Sequence, residues 1–161
     1  MIAVGALFVG AVEYLSTSSE QTTERDFIQY WVIGQQLAHG ANPYDAPAIV
    51  ALEHSVGLAG PEPRISLSPP VVLWPMLPLG LFGPRVGFAA WSLLLLGCLS
   101  VINWLLWRLN GRPDSLLHLV GYAFAPAIVC VMSGQLSIFL LLGIVLFLTW
   151  HESRPLLAGA A

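Results

Sequence analysis

The chain has 161 residues, of which 57% are hydrophobic and only 9% charged, with a net charge of -3. So few charges exclude an ordinary water-soluble domain, where about a quarter of residues are charged. The basic residues are all arginines, spread singly from Arg25 to Arg154, which excludes the clustered footprint of a nucleic-acid binder.

In chain order, residues 1–15 form an apolar run of about 22 Å if helical, against a hydrocarbon core of roughly 30 Å. The run has no basic flank and no cleavage site, so it predicts a first span whose start lies upstream rather than a signal peptide. Residues 26–39 predict a short helix. Phe27, Tyr30, Trp31, Gly34, Leu37 and Ala38 share one face, with Gln29, Gln36 and His39 roughly opposite. Thr23 and Asp26 have capping-box spacing, and Gly40 supplies the stop before Asn42-Pro43. Tyr30 and Trp31 suit a helix lying at headgroup level. Residues 68–82 are equally greasy, but Pro69, Pro70, Pro75 and Pro78 each remove a backbone donor, predicting a broken or re-entrant interfacial piece. Spans are then predicted over 87–107, 115–132 and 136–150, and Pro155 opens another near residue 156. Cys98 and Cys130 lie singly in apolar runs and predict neither a disulfide nor a metal site.

The arginines set the topology. With the 68–82 segment interfacial, Arg108, Arg112 and Arg154 fall in short loops or near helix ends on one side, the pattern of cytoplasmic loops. The loop over residues 16–86 is then extracytoplasmic, in a multi-pass protein of the cell membrane whose first partner is the lipid bilayer. The chain is expected to be the amino-terminal part of one all-α, polytopic membrane domain covering 1–161, inactive as a piece ending at Ala161.

No phosphate-binding loop, zinc spacing, catalytic triad or CxxC occurs, so no cofactor is indicated and a divalent metal stays open. The ionisable groups remain. Asp26, beside aromatics at the bilayer edge, is suited to take a proton from a hydroxyl, or else serves only the helix amino terminus through the macrodipole. Arg25 and Arg64 either hold phosphate oxygens or are solvated. Arg85 reads as a snorkelling anchor. Glu53, Glu62, His39 and His54 are expected in solvent, and His118 lies inside a predicted span near its cytoplasmic end. Ser133-Gly134-Gln135 is either a bare turn or a polar hairpin tip facing the same site as Asp26.

The run Asp26-Phe-Ile-Gln-Tyr-Trp-Val-Ile-Gly-Gln-Gln-Leu-Ala-His-Gly-Ala-Asn-Pro-Tyr-Asp45, a later Pro-Pro with Leu-Pro downstream, and Gly134-Gln135 opening a helix resemble glycosyltransferase family 87. The resemblance implies the GT-C membrane fold, with interfacial helices in the first extracytoplasmic loop. It also implies inverting transfer of a sugar, mannose being the expected one, from a polyprenyl-phosphate donor to the hydroxyl of a lipid or glycan acceptor. Asp26 matches the expected catalytic base. Arg25, Tyr30, Arg64 and Gln135 are then the candidate substrate contacts. The rival reading from the residues alone is a polytopic transporter or a non-catalytic scaffold subunit.

Overall fold

A computed structural model describes residues 26–58 and 69–160. The predicted first span and Thr23, Arg25, Glu62 and Arg64 lie outside the described residues. The described residues are helical and contain no strand. The chain divides between Trp91 and Ser92 into two compact units.

In the first unit, α1 (Phe27–Ala38) ends at His39, after which Gly40 adopts φ 65°. The Gly40 N–H donates to the Leu37 carbonyl at 3.1 Å and the Ala41 N–H to that of Gln36 at 2.8 Å. This is the Schellman closure that a left-handed glycine permits. The predicted and observed ends of α1 agree within a residue at each terminus. Asn42 Oδ1 then accepts from the Tyr44 N–H at 3.0 Å, turning the chain, and Asp45 Oδ1 accepts from the Ala48 N–H at 3.4 Å. Asp45 thereby caps α2 (Ala46–Ser55).

The proline-rich stretch folds as α3 (Pro70–Leu73) followed by a 3-10 helix, Trp74–Leu81. Prolines withdraw donors from an α ladder, and the apolar pattern here has period three. Leu73, Met76 and Leu79 are buried while Pro75 and Pro78 face outward, matching the three residues per turn of a 3-10 helix.

α1 packs along this 3-10 helix through two glycines. A methyl group built on Gly34 overlaps the backbone of Met76 and Gly80, and one built on Gly80 overlaps the backbone of Gly34 and Gln35. Small residues let helix backbones touch in this way. The consequence corrects the expected one-sided burial. Phe27, Ile28, Trp31, Val32 and Ile33 are all buried, and so is Gln36, at 7% exposure, which the helical pattern puts on the polar side. Glu53, expected in solvent, is buried at 2%.

α4 (Pro84–Leu109) has 26 residues, about 39 Å at 1.5 Å per residue, and is the one helix among the described residues long and apolar enough to cross a membrane. Its early turns belong to the first unit. There Phe88 meets Phe27 edge to face at 5.2 Å, and a Cβ on Gly87 would lie 3.3 Å from the Phe27 ring.

In the second unit, the predicted span over 115–132 is broken into three pieces: a 3-10 turn Leu116–Leu119, α5 (Val120–Ala123) and α6 (Ala125–Ser133). Phe124 is extended, with φ -69° and ψ 113°, and Pro126 sits in the first turn of α6. Proline has no N–H to give the Tyr122 carbonyl, so the helix restarts instead of continuing. Gly134, at φ 73°, ends α6, and α7 (Ser137–Trp150) follows, with α8 (Pro155–Ala160) last. α7 is apolar on all sides but only 14 residues long, about 21 Å.

Candidate functional site

Asp26 occupies the residue just before α1 and is half-buried. Its side chain makes no cap hydrogen bond to α1, and the capping-box pairing expected with Thr23 lies outside the described residues. Tyr30 follows one turn later on the same face, half-buried, its ring 5.9 Å from that of Trp91 at 45°. These two candidates are therefore brought together on one element. Gln135 belongs to the second unit, where its N–H donates to the Cys130 carbonyl at 2.8 Å and its Oε1 lies 3.4 Å from the Cys130 thiol. Arg25 and Arg64 lie outside the described residues.

Two side chains hold α1 in place, Trp31 and Gln35. The Trp31 indole Nε1 donates to the Phe82 carbonyl at 2.9 Å, and Gln35 Nε2 donates to the Gly80 carbonyl at 2.8 Å. Both acceptors lie at the carboxy-terminal end of the 3-10 helix, where carbonyls lack intrahelical partners. Trp31 is buried and bonded within the unit. The signal that could have identified this pairing was the glycine in each segment, since neither Gly34 nor Gly80 is needed for a turn. Glu53, on α2, adds a carboxyl group buried in the same unit.

This geometry can present a carboxylate at a fixed place on the first unit. α1 is tied down by a backbone crossing and two long-range hydrogen bonds, so Asp26 at its end has a defined position relative to the 3-10 helix. A carboxylate so held can accept a proton from a hydroxyl brought to it.

Comparison with curated proteins and with solved structures gave no match. Comparison with protein families gave one. The sequence pattern described as Glycosyltransferase family 87 matches residues 67–161, which begins just before the Pro69-Pro70 pair and takes in the 3-10 helix, α4 and everything after it. The match leaves out the Asp26–Asp45 run but includes the segment onto which α1 is locked. With more than half of its residues matched, the chain belongs to glycosyltransferase family 87.

Proposed function

We propose that this chain belongs to a polytopic, GT-C-type membrane enzyme. It transfers mannose from a polyprenyl-phosphate donor to an acceptor hydroxyl at the extracytoplasmic face, with inversion and with Asp26 as the base. The observation that carries the reading is the Gly34–Gly80 crossing. It joins the helix that begins at Asp26 to the part of the chain that matches a glycosyltransferase family.

The chemistry asks little more of the protein than this. The Asp26 carboxylate takes the acceptor's hydroxyl proton as the oxygen forms its bond to the anomeric carbon. The bond from that carbon to the donor's phosphate oxygen breaks, and polyprenyl phosphate leaves with the electron pair. A single displacement inverts the anomeric centre. Phosphate is a good enough leaving group to need no strong general acid, and Arg25 or Arg64 stabilises its charge. Tyr30 and Gln135 contact the substrates, and the loop over 16–86 carries the site outside the cytoplasm, leaving the arginine-bearing short loops inside.

The test is product analysis on membranes holding the full-length protein, supplied with polyprenyl-phosphate mannose labelled in the sugar. A new glycosidic bond of inverted anomeric configuration is the expected result. Label moved across the membrane with no new bond supports a transporter instead and overturns the proposal.

A further inference from the structure

The second unit contains a crevice that the transfer reaction does not use. It has a volume of about 210 Å³ and is lined by Ser100, Asn103, Trp104, Trp107, His118 and Tyr122. The loop after α4 builds it. Gly111, at φ 77°, and Arg112, at φ 56°, both adopt left-handed backbone and turn the chain back over the end of the helix. The Trp107 indole then donates to the Pro113 carbonyl at 3.0 Å, and its ring lies 5.7 Å from that of His118. His118 Nδ1 is 3.2 Å from the Ser115 carbonyl, which only accepts, so Nδ1 carries a proton.

Asn103 is the telling residue. It is 7% exposed and lines the crevice, yet its Nδ2 has no hydrogen-bond partner among the described residues. Gly121 makes the room, since a methyl there would overlap the Asn103 carboxamide. A buried amide donor left unmet costs about 1–3 kcal/mol, so its retention calls for something that accepts from it. Around it stand the Ser100 oxygen, whose proton goes to the Leu96 carbonyl at 2.8 Å, the Tyr122 hydroxyl, the His118 ring and two indole faces, a polar and aromatic lining that suits a hydroxylated group.

Charge narrows the class. The Arg108 guanidinium carbon lies 4.7 Å from the centre of the Trp104 ring and that of Arg112 lies 6.0 Å from the centre of Trp107. Two guanidinium groups, each stacked on an indole that lines the crevice, favour phosphate oxygens nearby. Leu109, Leu116 and Val120 are exposed apolar neighbours in sequence, suited to acyl chains. The volume is below the roughly 300–1,000 Å³ of drug-sized ligand pockets, so it admits one small headgroup.

We infer that this crevice binds the phosphate-bearing, hydroxylated headgroup of an anionic membrane lipid. The inference rests on the proposed reading of α4 as a bilayer span, with its arginine-bearing end at a headgroup layer, but not on Asp26 or on the identity of the sugar.

The experiment equilibrates purified full-length protein with mixed micelles holding equal amounts of dioleoylphosphatidylglycerol and dioleoylphosphatidylcholine, and counts retained lipid by native mass spectrometry. The expected result is preferential retention of phosphatidylglycerol, reduced about tenfold or more by Asn103→Leu and by Arg108→Gln, the loss of one hydrogen bond to a charged group. Arg108 is exposed, so its variant keeps the proposal testable if Asn103→Leu fails to fold. Displacement by sn-glycerol 1-phosphate shows that the headgroup alone is read, whereas resistance to it shows that the acyl chains are also needed, and either agrees with the proposal. Equal retention of the two lipids, or phosphatidylglycerol retention unchanged in folded Arg108→Gln protein, overturns it. Sugar transfer by the same preparations is read separately, so that failure of this site and failure of the transferase reading are told apart.

Discussion

Gly34 of α1 and Gly80 of the 3-10 helix meet backbone to backbone, and neither position has room for a β-carbon. The contact lies beside the hydrogen bond from Gln35 to the Gly80 carbonyl, which links residues 45 apart in sequence. It makes the proline-rich segment a platform for the helix that starts at Asp26.

Gly34→Ala tests this contact, because two effects of opposite sign compete. Alanine favours a helix over glycine by about 1 kcal/mol. Forcing a methyl into backbone costs about 3 kcal/mol, the upper end for overpacking, so the variant is expected to be destabilised by about 2 kcal/mol. Gly97→Ala on α4 is the control, with nothing within 4 Å of the added carbon, and should be neutral or stabilised by up to about 1 kcal/mol. Thermal unfolding of the detergent-solubilised full-length protein checks both.

Trp31→Phe keeps most of the buried ring and removes the indole donor to the Phe82 carbonyl. A loss of about 1 kcal/mol is expected, the net worth of one hydrogen bond. A much larger loss in the same thermal assay means that the ring's shape, rather than its N–H, holds α1.

Pro126→Leu restores the missing backbone donor at the break between α5 and α6. The two short helices are expected to join, and hydrogen exchange across residues 120–133 should slow relative to the wild type. Unchanged exchange would mean that tertiary packing around Phe124, and not the proline, sets the break.

What could be read in the sequence was local. The ends of α1 followed from Gly40, and the long apolar run gave α4, observed over Pro84–Leu109 against the predicted 87–107. The prolines correctly argued against a regular α-helical span at 68–82, while the 3-10 form needed the period-three burial of Leu73, Met76 and Leu79. Partners distant in sequence were not legible. Helical periodicity assigns one wet face to α1, and Gln36 was placed on it, but the glycine crossing lets the helix sink and buries more than a single stripe. Glu53 is buried against the expectation of a solvated loop residue, since loop membership says nothing about what packs over a residue. The break at Phe124 had a visible cause in Pro126, outweighed by the apolar length of the segment. The match to residues 67–161 gives the family, and the Asp26 assignment comes from the run before it.

The proposed reaction depends on one carboxylate, and Asp26→Asn removes its basicity while keeping its size. In full-length protein reconstituted with polyprenyl-phosphate mannose and an acceptor lipid, transfer should fall by about a thousandfold, within the range ascribed to a general base. Membrane insertion and thermal midpoint should stay at wild-type values. Near-normal turnover by a properly inserted Asp26→Asn protein would contradict the assignment of Asp26 as the base.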